Sequence, residues 1–232
     1  MSKTLIFTAT FNEKENIIIL IEKINNLQRD VDILVIDDNS PDQTGKILKD
    51  LEKTSKNLQV IIREKKLGLD TAHKLAFNFS KENNYEKFIT LDADLSHDPK
   101  EIPKIIDLLD TNSFVIGSRY IKGGNCEMTL PRLILSIIGN KIIKYVLNIK
   151  SNEFTTSFRG FNLNKLTNFN LDMVNSKGYS FFMETIYLLS KLGHNIYEIP
   201  IQFKNRTQGQ SKIPKLEVLR TLKNLLIIFL KK

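Results

Sequence analysis

Val31-Asp32-Ile33-Leu34-Val35-Ile36-Asp37-Asp38 is the stretch on which the reading of the fold turns. A near-continuous apolar run of strand length that stops at two carboxylates reads as a strand buried on both faces of a parallel sheet. The pattern recurs on either side. Leu5–Thr8, Leu58–Ile62, Phe88–Leu91 and Ser113–Ile116 read as further strands. Between them Glu13–Leu27, Lys46–Leu51, Thr71–Phe79 and Pro99–Leu109 carry apolar residues at helical spacing. Strands alternating with amphipathic helices build βαβ units and a sheet covered on both faces. Ligands of such sheets lie beyond the carboxyl ends of the strands. The polar clusters Thr10–Glu13, Asp37–Thr44, Asp92–His97 and Ser118–Tyr120 fall there.

The chain has 232 residues, enough for one domain with a real core or one domain with an extension. Its 41% hydrophobic and 26% charged residues exclude a disordered chain, a collagen-like repeat and a multi-pass membrane protein. A single cysteine, Cys126, excludes an internal disulfide framework and a cysteine-rich zinc module. The three histidines, His73, His97 and His194, form no HExxH pair. No basic leader with a long apolar run opens the sequence, so the expected setting is the reducing cytoplasm. The net charge of +8 is unevenly spread: residues 1–119 hold 17 Lys and Arg against 20 Asp and Glu, residues 120–232 hold 17 against 6. A basic second half suits an anionic partner, whether phosphate, an acidic membrane face or nucleic acid, unless it only reflects a lysine-rich composition. No zinc-finger, RNA-recognition or homeodomain signature supports nucleic acid.

The second half departs from strand–helix alternation. Gly123-Gly124 marks a loop, and Leu130–Asn148 reads as a helix with Arg132, Ser136, Asn140, Lys144 and Asn148 on one drifting polar stripe. Pro214 is placed to open a last helix, whose end, Leu225–Leu230, is followed by Lys231-Lys232. Neither helix approaches the roughly 20 apolar residues of a membrane span. Two readings stay open for both: packing on the core, or lying in a membrane interface with lysines toward the headgroups.

Chemistry concentrates in three places. Asp92-Ala93-Asp94 follows a buried strand, and residues two apart in an extended segment point the same way. Two adjacent carboxylates need a cation or donors, so the pair reads either as a Mg²⁺ or Mn²⁺ site shared with substrate phosphates, with Ser96 in support, or as a polar turn before Pro99. Ile36-Asp37-Asp38-Asn39-Ser40-Pro41-Asp42 offers carboxylates for ribose or base, or is turn chemistry. Arg119, Arg132, Arg159, Arg206 and Lys212 suit phosphate oxygens, though each alone also reads as a solvated charge. GxGxxG, GxxxxGK[ST] and GxSxG are absent.

In order, TFNE (Thr10–Glu13), DDNSPDQT (Asp37–Thr44), KLGLDTA (Lys66–Ala72), DADLSHDP (Asp92–Pro99), GSRY (Gly117–Tyr120), TTSFRGF (Thr155–Phe161), SKGYSFFME (Ser176–Glu184) and EIPIQFKNRTQGQSK (Glu198–Lys212) resemble family 2 glycosyltransferases. Within that family the chain is most similar to the polyprenol-phosphate (dolichol-phosphate) mannosyltransferases. The resemblance implies an α/β GT-A fold, a Rossmann-like nucleotide-diphosphosugar transferase with a mostly parallel central sheet, plus C-terminal amphipathic helices. It implies a catalytic domain over 1–212, divided into a nucleotide-sugar half (1–119) and an acceptor half (120–212), and an amphipathic helix over 213–232. The implied reaction is metal-dependent, inverting transfer of a hexose from a nucleotide sugar, GDP-mannose first and a UDP-sugar second, to a polyprenyl monophosphate. Ala9, Phe11 and Glu13 are implied at the nucleotide, Ile36 and Asp38 at its base and ribose, and Asp92, Ala93 and Asp94 along the diphosphate. Asp94 and Ser96 are implied at a Mg²⁺ or Mn²⁺ ion. Arg119, Lys177, Arg206 and Lys212 match donor-binding positions, with Asp94, Arg119 and Arg206 implied as catalytic, and Arg132 is implied at the lipid phosphate.

Ala9 stands where the family usually has proline, Ser96 where some members have glutamine, and Glu153 where aspartate is usual. The last would matter if that carboxylate deprotonated a hydroxyl acceptor. A lipid phosphate is already anionic, which favours the polyprenol reading. The expected location is peripheral, on the cytoplasmic face of a membrane, with or without an anchoring partner subunit, and with no nucleic acid bound.

Overall fold

The computed structural model describes residues 3–204 and 217–230. The five strands expected in the first half form as β1 (Thr4–Thr10), β2 (Val31–Asp37), β3 (Leu58–Ile62), β4 (Lys87–Thr90) and β5 (Phe114–Ser118). Alternation along them shows why both faces are covered. Leu5, Phe7, Leu34 and Ile36 enter one apolar core, while Ile6, Ile33 and Val35 enter the other. Helices α1 (Lys14–Asn25), α2 (Thr44–Glu52) and α4 (Ile102–Leu109) cover the second face. Ile17, Leu20, Ile21 and Ile24 of α1, and Ile102, Ile105, Ile106 and Leu109 of α4, are buried at the i, i+3, i+4, i+7 spacing of an amphipathic helix. On the first face lie α3 (Leu69–Glu82), α5 (Leu130–Leu147), α6 (Tyr179–Lys191) and α7 (Glu217–Leu230).

The sheet has seven strands in the order β3-β2-β1-β4-β7-β5-β8, with β8 at Tyr197–Pro200. All neighbours are parallel except β7 (Arg159–Asn162), which runs antiparallel between β4 and β5. A parallel pair, β6 (Asn125–Cys126) with β9 (Gln202–Phe203), stands apart. The four residues of β7 are too few to show an alternating pattern, so sequence reading gave them no strand. Gly160 suits its middle: a Cβ there would lie 2.5 Å from Cγ2 of Ile105, so α4 can pack directly on the strand. The helix expected over Pro99–Leu109 begins instead as a 3-10 turn, Pro99–Glu101, capped by the Asp98 side chain, which accepts from the Lys100 amide at 3.1 Å. The boundary expected at 212–213, Pro214, and the residues Arg206 and Lys212 lie outside the described residues.

His73 on α3 sits among the rings of Phe7, Phe181 and Phe182, with centroids 5.0–5.7 Å away. Burial, with Arg159 adding to it, pushes its pKa down to about 3, so the folded chain holds the ring neutral. An unfolded chain binds a proton there below about pH 6.5. The contribution of His73 to stability is therefore complete above that pH and is lost as pH falls from about 6.5 toward 3. Replacing His73 with Leu should flatten the fall in urea midpoint between pH 6 and 4 by up to one proton's worth, about 1.4 kcal/mol per pH unit. An unchanged slope would show that the carboxylates alone govern acid unfolding.

Candidate active site

The carboxyl ends of β4 and β5 open into a cavity of about 590 Å³. Asp92, Asp94, His97, Arg119, Thr155 and Thr156 are part of its polar lining. Local chemistry sets each carboxylate. Leu95 takes a left-handed conformation (φ 62°), unusual for a bulky side chain, and this turns the chain so that Ser96 faces Asp94. The Ser96 amide (3.1 Å) and hydroxyl (2.6 Å) both donate to Oδ1 of Asp94. The Ser157 hydroxyl donates to Oδ1 of Asp92 at 2.6 Å. His97 joins the two loops: its Nδ1 accepts from the Asp92 amide at 3.2 Å, which leaves the proton on Nε2 to meet Oγ1 of Thr156 at 3.1 Å. Burial pushes the His97 pKa down against the pull of Asp92 and Asp94, in keeping with that neutral tautomer.

Arg119, at the end of β5, lies flat against Glu153: Nε donates to Oε2 at 2.7 Å and Nη2 to Oε1 at 2.8 Å. Nη2 also donates to Oγ1 of Thr155 at 2.7 Å, and the Thr155 and Thr156 amides donate to Oε1 of Glu153. Glu153 is fully buried. Burial works against both charges, but the partners more than offset it: Glu153 stays below the usual carboxylate range and Arg119 above its ordinary value. Arg119 thus reaches the cavity as a cation fixed from behind. Arg132 also lines the cavity, exposed, with no ion-pair or hydrogen-bond partner among the described residues.

The other expected residues sit at the ends of β1 and β2 or in loops nearby and do not line this cavity. Ala9 pairs in register with Ile36, which is fully buried and forms floor rather than surface. The Phe11 ring lies 3.9 Å beneath the Lys66 ammonium. The Glu13 amide donates to Oγ1 of Thr44 and its carboxylate accepts from Asn16. Asp38 pairs with Arg63 and accepts from the Gly68 amide at 3.2 Å. Asp37 follows the turn reading, accepting from Thr10 and from Ser40. Ala93 is buried in the core, and Lys177 is exposed on the loop before α6. Arg159 needs correction as a phosphate contact. It is 1% exposed and donates to the carbonyls of Thr156, Phe182 and Phe154, tying the segment before β7 to α6.

The apolar part of the cavity lining comes from Leu135, Ile138 and Ile142 of α5 and Leu222 and Leu225 of α7. The polar stripe of α5 is turned inward: Ser136 meets the Tyr120 hydroxyl at 2.6 Å, Asn140 accepts from the Phe154 amide at 2.9 Å, and Lys144 donates to Asn152 at 2.7 Å. Its apolar side faces out, with Leu130, Ile134, Leu135, Ile138 and Ile142 between 41% and 68% exposed. On α7, Leu225 and Ile228 join the core while Leu226, Phe229 and Leu230 are exposed. Among the described residues no helix is long and apolar enough to cross a membrane.

Asp92 and Asp94 offer only oxygen, the donor type of a hard divalent cation, and Ser157 and Ser96 orient these carboxylates. The described residues hold no group of three or more His, Cys, Asp or Glu that would bind an ion alone, so an ion here would also need oxygens from a bound phosphate.

Residues 5–168 match the family profile described as Glycosyl transferase family 2. The polyprenol monophosphomannose synthase of Mycolicibacterium smegmatis is 32% identical over 214 residues, covering 91% of this chain and 81% of that protein. The undecaprenyl-phosphate mannosyltransferase of Micrococcus luteus is 30% identical over 212 residues, covering 91% and 87%. Among solved structures, glucosyl-3-phosphoglycerate synthase from Mycobacterium tuberculosis, in complex with Mn²⁺, UDP and phosphoglyceric acid, has a TM-score of 0.68 at 15% identity, over 99% of this chain and 78% of that one. The mannosyltransferase PcManGT from Pyrobaculum calidifontis, in complex with GDP-Man and Mn²⁺, gives 0.57 at 16%, over 99% and 64%. At such identity the structural likeness establishes the fold alone.

Glu153→Gln should destabilise the protein by about 3–5 kcal/mol, because it leaves the Arg119 guanidinium buried without its counter-charge. Urea unfolding at neutral pH measures this, and a loss under 1 kcal/mol would mean that water reaches the pair.

Proposed function

Because the chain belongs to glycosyltransferase family 2 and is a glycosyltransferase of GT-A fold, we propose that it transfers mannose from GDP-mannose to a polyprenyl monophosphate at a membrane surface. One observation carries this reading. A single cavity is lined by two carboxylates, two arginines and an apolar set from α5 and α7, a match for an acceptor with an anionic head and a hydrocarbon tail. The names of the two bacterial relatives point to the same acceptor class and sugar.

In the proposed reaction an oxygen of the acceptor phosphate attacks the anomeric carbon. A new carbon–oxygen bond forms there with inversion as the bond to the β-phosphate oxygen breaks, and its electron pair leaves with GDP. The acceptor is already ionised, so no residue has to remove a proton from it. Arg132 and Arg119 hold its phosphate, while Arg119, kept in place by Glu153, presents a preorganised positive charge at no reorganisation cost. Asp94 and Asp92, oriented by Ser96 and Ser157, would hold Mg²⁺ or Mn²⁺. When bound, that ion supplies Lewis-acid stabilisation of the departing diphosphate. Phe11, Glu13 and Asp38 at the ends of β1 and β2 bound the nucleotide crevice over the floor formed by Ala9 and Ile36. Lys177, Arg206 and Lys212 carry the donor-phosphate roles implied by the family resemblance.

The outward apolar faces of α5 and α7 support a peripheral seat on the bilayer, where a helix lies with its apolar side among acyl chains. In a soluble environment an unpartnered face of this kind is unfavourable.

Incubation with GDP-mannose, UDP-glucose or UDP-N-acetylglucosamine and a short polyprenyl phosphate should give mannolipid from GDP-mannose alone. Asp94→Asn should lower turnover by at least ~10²-fold. Transfer from a UDP-sugar instead would reassign the donor, and full activity of Asp94→Asn with metal present would remove the ion from Asp94.

A further inference from the structure

A second cavity, of about 360 Å³, lies on the other side of Arg119, bounded by α5, β6 and the loop after β5. Three cations line it, Arg119, Lys141 and Lys144, and among the described residues no Asp or Glu does. Arg119 has Glu153 as its ion-pair partner. Lys141 has no ion-pair or hydrogen-bond partner among the described residues. Lys144 spends its one hydrogen bond on the neutral Oδ1 of Asn152, whose amide nitrogen in turn donates to Glu198 at 2.8 Å. Lys141 and Lys144 thus carry two positive charges with no ion-pair partner among the described residues, at a concavity whose other walls include Ile121, Leu133 and Ile137, and the chemistry that complements charge beside apolar surface is an oxyanion of phosphate type carried on a lipid.

The position of these lysines indicates where that phosphate comes from. They lie one turn apart on α5, beside the outward ridge of Ile134, Ile138 and Ile142 and next to Tyr145, which is 78% exposed. Lysines flanking an apolar ridge place their ammonium groups at headgroup level when the ridge enters a bilayer. We infer that this second cavity binds the phosphate of an anionic lipid headgroup, as a site separate from the catalytic cavity but sharing Arg119 and Asn140 with it. The inference rests on the membrane seating proposed for α5. It does not need the donor or the acceptor to be assigned correctly. A headgroup held there stiffens a wall common to both cavities, so the surrounding lipid, besides the substrate, sets the geometry at Arg119.

The test is sedimentation of the full chain with phosphatidylcholine vesicles, with and without a minority of phosphatidylglycerol. The proteins compared are the wild type, K141Q, the pair K141Q/K144Q and a control pair, K122Q/K150Q, on exposed lysines outside the cavity. The cavity pair should weaken binding to anionic vesicles about tenfold or more, K141Q by a smaller step in the same direction, and the control pair by much less. Equal losses for both pairs would overturn the site in favour of diffuse charge attraction, and so would no loss in the cavity pair. K141Q alters an exposed side chain without a partner, so the result does not depend on how K144Q folds. In a parallel arm, inorganic phosphate that stabilises the wild type saturably but not the cavity pair, without any vesicle effect, would keep the anion site and make free phosphate its ligand. Because the readout is binding, loss of mannosyl transfer in any variant leaves this result intact.

Discussion

Arg119 and Glu153 leave water together, and much of the site is arranged around that fact. Desolvating two charges is costly and is offset only when geometry is close and the remaining lone pairs find donors. Both conditions hold: two guanidinium bonds of 2.7 and 2.8 Å, with the Thr155 and Thr156 amides on the same carboxylate. The pair joins the end of β5 to the segment that enters β7, and that segment carries Ser157, which sets Asp92, and Thr156, which meets His97. A family position usually filled by aspartate is here a glutamate. Its carboxylate lies flat against the arginine fork. The arrangement suits an acceptor that arrives ionised, since the carboxylate is occupied as a counter-charge.

A second arrangement follows from where α5 places its polar groups. In an ordinary soluble helix the polar stripe faces water. Here Ser136 and Asn140 face the protein on specific partners, as a buried polar group requires, while the half-buried Lys144 reaches the neutral Asn152 and keeps its charge at the second cavity. Ile143 and Leu147, with Val146 packed beside them, anchor the helix in the core. What remains outward is the aliphatic side. The same helix therefore lines the catalytic cavity, holds the loop at Phe154 and presents an apolar ridge.

The first half of the fold was legible because its strands are long and apolar enough to be recognised singly. Val31–Ile36 and Phe88–Leu91 each end where a ligand-facing turn begins, and the carboxylates of DADLS could be placed from strand periodicity alone. What was hidden is non-local. The four residues of β7 carry no pattern of their own, and their strand state exists because β4 and β5 flank them. Arg159 looks like any arginine in a polar segment, and only packing reveals three backbone carbonyls around it. The inward turn of the α5 stripe was equally hidden, since a helical wheel gives two faces without saying which meets the protein. His97 is visible in the sequence as one of three histidines, but its bridge to Thr156 spans 59 positions.

The antiparallel insertion of β7 also governs how the chain is made. As it leaves the ribosome, β1 to β4 can assemble at once, but β5 has no partner until residues 159–162 arrive to bridge the gap, and β8 must wait in turn. Until then β4 and β5 present raw sheet edges to other chains in the cell. The two halves that look separable by charge are thus spliced at the middle of one sheet, and a fragment ending near Arg119 would be born with an open seam. Late closure over such sequence distance makes for slow folding and gives chaperones a defined interval in which to act.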